Sequence, residues 1–94
     1  MESWDLAIEQ SIRALGTSFD THRLIQEIAH LNQRRYVEAL AGIDSDIPFQ
    51  VLHSRLGRRI KVIAGSLGYE GTETQSDDMF GQYSHCTAYS TRQL

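Results

Sequence analysis

One helical stripe constrains the fold of this chain more than any other feature. Between Pro48 and Gly65, large apolar residues recur every three or four positions, namely Phe49, Leu52, Leu56, Ile60 and Ile63. Residues at this spacing share one face of an α-helix, and a face this apolar must be buried. Pro48 suits the first helical position, and Gly65 and Gly68 provide the stop. The pattern predicts a helix over 48–64 at the centre of the core.

Shorter apolar stripes predict further helices before this one. The first runs from Trp4 to Leu15, and the second begins after a predicted cap at Asp20. A continuous helix from there to Leu40 would place Asn32 in its apolar face. A break at Asn32 is therefore favoured, with a new helix ending near Gly42, and a single long helix is the alternative.

The C-terminal quarter has a different character. Residues 70–78 are acidic, polar and rich in Gly, Thr and Ser, which predicts a flexible loop. Residues 79–89 are aromatic and Thr-rich with an alternating pattern, which predicts a short strand. A lone strand lacks a hydrogen-bonding partner, so we expect an extended arm that packs on the helices, on a partner or on a second copy. The predicted arm interface is Phe80, Tyr83 and Tyr89, with Phe80 as its main anchor.

These patterns together predict a mainly α fold. We expect a compact bundle of three or four helices over residues 1–69, with the polar loop and arm of the same single domain over 70–94. Ninety-four residues suit one domain with a modest core. The predicted core comprises Trp4, Ile8, Ile12, Ile28, Tyr36, Leu40, Phe49, Leu52, Leu56, Ile60 and Ile63.

Charge is segregated along the chain. Between Asp46 and Glu70 there is no acidic residue, and the four basic residues of that stretch are Arg55, Arg58, Arg59 and Lys61. The net charge of the whole chain is −3. Because these cations fall outside the apolar stripe, the central helix should present them to a protein partner or to nucleic acid. The alternatives are a solvated face, or a face paired with the acidic 70–78 segment.

A nucleic-acid partner is the second choice. The basic helix, with the preceding short helix, would form a helix-turn-helix whose second helix enters the major groove. Four charges are few, however, against the roughly six to ten phosphate contacts of a strong binder. The connection from Gly42 to Ile47 is also longer than the tight turn of that motif.

The sequence contains no motif for catalysis or for metal binding. Its histidines and single cysteine show no CxxC, HxxxH or HExxH spacing. Cys86 with His85, or Ser54 with His53 and Asp20, would be the nucleophile pairings to consider, but adjacent residues seldom reach the required geometry. We therefore expect no enzyme activity, no cofactor and no metal.

The compartment is predicted from cysteine use and hydropathy. A lone Cys86 excludes an intramolecular disulfide, which favours a reducing cytoplasm. No apolar run approaches the length of a membrane span, and the first residues are acidic and polar, unlike a secretion signal. A cytoplasmic protein without membrane insertion is expected.

Four short segments resemble a pattern in small uncharacterised single-domain bacterial proteins: Phe19-Asp20-Thr21-His22, Tyr36-Val37-Glu38-Ala39-Leu40, His53-Ser54-Arg55-Leu56-Gly57 and Met79-Phe80-Gly81. The resemblance implies a free-standing domain and carries no activity, ligand or catalytic residue. The predicted function is that of a small intracellular adaptor, regulator or inhibitor, encoded by a phage or other mobile element, that binds another protein and is able to form a homodimer. The alternative is a helix-turn-helix-like DNA-binding regulator.

Overall fold

The computed structural model describes residues 3–91. Its elements, in chain order, are α1 (Asp5–Leu15), β1 (Ser18–Asp20), α2 (Thr21–Leu31), α3 (Gln33–Ala41), α4 (Pro48–Ser66), β2 (Glu70–Asp77) and β3 (Tyr83–Ser90). The three strands form one antiparallel sheet in the order β1-β3-β2. The fold is therefore α+β, and the prediction of a mainly α bundle with a C-terminal arm is wrong. The last three residues of the predicted arm, 92–94, lie outside the described residues.

The central helix is confirmed as α4. Leu52, Leu56 and Ile60 are buried along it, and Ile63 is partly buried. Phe49 differs from the prediction, since 36% of it is exposed at the first turn, where the helix extends beyond the core. No helix within residues 3–91 combines the length and apolar character needed to cross a membrane.

The break at Asn32 is also confirmed. Its backbone N–H and its side-chain Nδ2 both donate to the carbonyl of Ile28, at 3.0 and 2.9 Å. The side chain thus satisfies the C-terminal end of α2, and makes no capping bond to α3. At the other end of α2, the predicted cap Asp20 accepts from the N–H of Arg23 at 2.8 Å.

The segment predicted as a flexible loop is strand β2. It pairs with β3 over its whole length, from Glu70 opposite Ser90 to Asp77 opposite Tyr83. The segment forms a strand despite its polarity because it lies at the edge of the sheet, where its outward side chains face water. Thr72, Thr74 and Ser76 share one face at period two, and they lie opposite Ala88, Cys86 and Ser84 on β3.

The turn between β2 and β3 is held by Asp78. Its carboxylate accepts from the N–H of Phe80 and of Gln82, at 2.9 and 3.0 Å. Gly81 has a φ of +79°, which favours glycine. The predicted arm is therefore the second half of a hairpin, and the strand that was expected to lack a partner is the central strand of the sheet.

Aromatic residues join the sheet to the helices. Phe19 on β1 lies opposite Tyr89 on β3, with ring centroids 5.6 Å apart, and Phe19 is 5.4 Å from Tyr69. The Tyr69 hydroxyl donates to the carbonyl of Gly16 at 2.7 Å, which ties the start of β2 to the end of α1. The buried core comprises Ala7, Ile8, Ile12, Phe19, Leu24, Ile25, Ile28, Tyr36, Leu52, Leu56, Ile60, Ala64 and Tyr89.

Gly71 provides a test of how β2 packs on β3. A Cβ at Gly71 would lie 2.9 Å from Cγ2 of Thr87 and 3.2 Å from Cε1 of Tyr89, whereas a Cβ at Gly57 would meet nothing within 4 Å. Gly71→Ala should lower the free energy of unfolding by about 1–3 kcal/mol through overpacking. Gly57→Ala, in the helix interior, should raise it by up to about 1 kcal/mol. Urea denaturation of both variants checks this, and a harmless Gly71→Ala would contradict the pairing.

Candidate functional site

An open groove of about 660 Å³ runs between α4 and the hairpin. One wall is the exposed side of α4, and the other is β3 with the turn that precedes it. The first turn of α2 contributes Thr21, His22 and Ile25. The groove therefore joins three parts of the chain that are far apart in sequence.

An aromatic cluster occupies the end nearest the hairpin turn. The ring of Phe80 lies edge-on to Phe49 at 4.9 Å and stacks with His53 at 6.4 Å. Phe80 thus anchors the turn to α4, yet 55% of it remains exposed. This end of the groove offers apolar surface that the fold itself does not cover.

His53 connects this cluster to the core. Its Nε2 lies 2.6 Å from the hydroxyl of Tyr36, which also contacts the sulfur of Met79 at 3.6 Å. Burial lowers the pKa of His53 below its ordinary value of 6.5, an effect that the nearby charge of Asp78 opposes and that of His22 reinforces. Folding therefore favours the neutral imidazole of His53 relative to the unfolded chain.

This pKa shift predicts a pH dependence of stability. Because the folded pKa of His53 lies below the unfolded value of 6.5, the unfolded chain takes up the proton first as the pH falls. Stability contributed by neutral His53 is present above pH 6.5 and is lost as the pH falls towards the folded pKa. Urea denaturation at pH 7.5, 6.5 and 5.5 should show that the free energy of unfolding declines as the pH falls. The decline should be smaller in His53→Gln. It should be unchanged in His85→Gln, a control at an exposed histidine. Equal declines in all three proteins would contradict this role of His53.

The four predicted cations divide into two groups. Arg58 and Lys61 line the groove, and Arg55 lies beside it in a shallow depression with Ile47. Arg59 instead points to α1, where its guanidinium donates two bonds to Asp5, at 3.0 and 2.7 Å. Hydrogen bonding from Arg59 lowers the pKa of Asp5. Within residues 3–91, no carboxylate forms an ion pair with Arg55, Arg58 or Lys61.

The hairpin is acidic. Its carboxylates are Glu70, Glu73, Asp77 and Asp78, and no Lys or Arg occurs between residues 70 and 91. Three of these charges lie along the outer strand β2. Pairing β2 with a second copy would bring like charges together, which disfavours a homodimer formed through that edge.

The other predicted arm residues have different environments. Tyr89 is a core residue, only 5% exposed, whereas Tyr83 is 68% exposed on the same strand. Tyr83 and Tyr89 are an even number of positions apart, so they lie on the same face of β3. Their exposure differs because Tyr89 is paired with β1, whereas Tyr83 lies beyond the end of β1. Tyr89 is therefore unavailable to a partner, and Tyr83 remains accessible.

A polar network lies where α2 meets the hairpin. His22 Nδ1 is 2.9 Å from the hydroxyl of Ser76, its Nε2 is 3.3 Å from that of Ser84, and Ser76 is 3.4 Å from the sulfur of Cys86. Neither nucleophile pairing considered from the sequence is formed, since His85 contacts Gln75 and His53 contacts Tyr36. Within the described part of the chain, no three His, Cys, Asp or Glu residues cluster as metal ligands would.

Sequence reasoning missed several residues of the groove. His22 was not assigned a role in a site, and Phe49 was assigned to the core because it follows the helical spacing of α4. The contact of Phe80 with Phe49 depends on the hairpin turn, which the loop prediction excluded. Better signals were the period-two Thr72, Thr74 and Ser76, and Gly81 in a polar turn.

Comparison of the chain with protein-family models, with curated proteins and with solved structures gave no match.

Proposed function

We propose that this protein is a small non-catalytic module, an adaptor, regulator or inhibitor, that binds a segment of another protein in the groove between α4 and the hairpin. The observation that carries the proposal is that one open groove combines exposed aromatic rings with cations that have no carboxylate partner among residues 3–91. Aromatic and arginine side chains dominate the binding energy of protein interfaces. Their concentration at Phe49, Phe80 and Arg58 favours a protein ligand.

The charge distribution supports the same proposal. The basic wall attracts carboxylates, while the acidic hairpin beside it repels a polyanion such as a nucleic acid. A folded partner or peptide carries separate charges of both signs and can match both walls. Cys86 is a free, half-buried thiol, which suits action in a reducing compartment such as the cytoplasm.

Site-specific photocrosslinking tests the proposal. Benzoylphenylalanine at Gln50, which lines the groove, is compared with the same group at Gln33, which is exposed on α3. In nuclease-treated lysate of the source cells, Gln50 should yield a protein adduct and Gln33 should not. The captured protein is identified by mass spectrometry and its binding is measured with purified components.

Charge reversal then shows whether binding uses the groove. The double variant Arg58→Glu, Lys61→Glu should weaken binding of the purified partner at least about tenfold, because attraction becomes repulsion. Arg34→Glu, on α3 outside the groove, should have little effect. Equal losses in both variants, or adducts only at Gln33, would refute the proposed site.

Duplex DNA is the second candidate, and one observation favours it. Arg55, Arg58 and Lys61 are exposed on α4 and have no carboxylate ion-pair partner within residues 3–91, so they are available to phosphates. If α4 binds DNA, replacing Arg55, Arg58 and Lys61 with Ala should weaken binding and flatten its salt dependence. Because the hairpin is acidic, we expect no sub-micromolar, sequence-selective complex at physiological salt. Such a complex would reverse the order of the two candidates.

A further inference from the structure

The central strand β3 extends beyond its neighbour β1. β1 pairs only with residues 88–90 of β3, after which the chain enters α2. On either side of this pairing, the N–H of Thr91 donates to the carbonyl of Thr17 at 3.0 Å, and the backbone of Thr87 bonds the hydroxyl of Thr21. Successive residues of an antiparallel strand direct their backbone groups to opposite sides. The odd-numbered residues of β3 therefore face the β1 side.

By the same alternation, His85 and Tyr83 direct their N–H and C=O groups to a side where β1 has ended. Both residues are exposed, and within residues 3–91 no backbone hydrogen bond on that side satisfies His85. His85 also lines the groove. A row of unpaired backbone groups at a sheet edge is a template for another extended chain.

The side chains of α4, on the opposite wall of the groove, indicate which residues such a peptide would carry. Along α4, an aromatic pair, Phe49 and His53, precedes a cationic pair, Arg58 and Lys61. At a helical rise of about 1.5 Å per residue, the midpoints of the two pairs are about 13 Å apart. An extended peptide covers about 13 Å in four residues. A peptide antiparallel to β3 would meet the cations first and the aromatic cluster last, because α4 and β3 both run from the hairpin turn towards the base of the sheet.

We infer that the groove binds an extended peptide that pairs with the free edge of β3 in the place where β1 ends. This peptide is acidic only where it meets the cations of α4, because Asp78 lines the aromatic end of the groove. The peptide carries a large apolar residue about four positions after a carboxylate, with the carboxylate opposite Arg58 and Lys61 and the apolar residue on Phe49 and Phe80. This inference rests on the proposed function and specifies its ligand. The longer free edge, on β2, would select basic peptides because of its carboxylates, so the two edges are distinguishable.

The test begins with selection from a random seven-residue peptide library displayed on bacteriophage, against the full chain. We expect enriched sequences with Asp or Glu four positions before Phe, Tyr, Trp or Leu. Enrichment of basic sequences, of apolar residues at helical spacing, or of no sequence would overturn the inference.

The best-enriched peptide is then made with a fluorescent label and titrated by fluorescence polarisation. N-methylation of alternate residues should weaken binding at least about tenfold in one set and little in the other, because only one set of N–H groups faces β3. Arg58→Glu, Lys61→Glu should weaken binding similarly, and a peptide with Lys in place of its carboxylate should restore it. Arg34→Glu is the control for net charge. Insensitivity to both N-methyl sets would refute strand pairing.

The two proposals fail in different ways. If Gln50 crosslinks a protein partner while selection or N-methylation gives the contrary result, the protein-binding function stands and the extended acidic ligand is rejected. If Gln50 captures no protein while the peptide behaves as expected, the ligand chemistry stands and the function in the source cells is rejected.

Discussion

Tyr89→Ala is expected to lower the free energy of unfolding by about 3–5 kcal/mol, as large truncations of buried aromatic residues do. Tyr89 is 5% exposed and packs against Phe19, so its removal leaves a cavity where the sheet meets the helices. A domain of this size has a total stability of about 5–15 kcal/mol. The variant should therefore be close to unfolding at room temperature, as urea denaturation will measure.

Tyr83→Ala is the matched control, since it changes the same residue type on the same strand. Tyr83 is 68% exposed, and its truncation should change stability by no more than about 0.5 kcal/mol. Truncation after Gly71 removes β3 and should abolish cooperative unfolding, because both other strands pair with it. If Tyr89→Ala or the truncated chain were as stable as the full chain, the hairpin would be a dispensable tail.

Leu56→Ala is expected to have the second-largest effect, a loss of about 2–5 kcal/mol. Leu56 is 1% exposed at the middle of α4, among the side chains of the core. The cost combines the lost burial of the side chain with the cavity that remains. Thermal or urea denaturation measures it directly.

Arg58→Ala, two positions along the same helix, should be nearly neutral for stability. Arg58 is exposed and has no carboxylate partner within residues 3–91. Both variants keep helix-favouring residues, so the comparison isolates burial. Two equally harmless substitutions would show that the orientation of α4 is wrong.

The helices were predictable because their signals are local. The apolar spacing in α4, the cap at Asp20 and the break at Asn32 each depend on neighbours within about one or two turns. The same reasoning correctly assigned Ile8, Ile12 and Leu56 to the core.

The sheet was not predictable in this way because β1 pairs with β3 across nearly the whole chain, and because β2 lacks the apolar pattern of a strand. β1 has three residues, and its capping function explains the sequence there without any strand. β2 reads as a loop because an edge strand needs no apolar face. β2 pairs with β3 in the register that places Thr74 opposite Cys86. On its other side, β3 pairs with β1, which places Tyr89 opposite Phe19 from the far end of the chain.

The residues of the candidate site that lie on α4 were predictable from local spacing, whereas the groove that they form with the hairpin was not. The exposed cations Arg55 and Arg58 follow from helical spacing, and Phe80 was expected to make contact because of its size. The groove requires the hairpin to lie beside α4, which local patterns do not encode. Arg59 shows a further limit, since its ion pair with Asp5 depends on the packing of α1 against α4.

Amide hydrogen exchange along β3, followed by NMR, determines whether β3 is the middle strand of the sheet and whether its edge is free beyond β1. Cys86 and Ala88 face β2, and Tyr89 faces β1, so their amides should exchange as slowly as those in the middle of α4. The amide of His85, between two protected neighbours, should exchange orders of magnitude faster. Rapid exchange throughout residues 83–90, or protection of His85 equal to that of Cys86, would contradict the account.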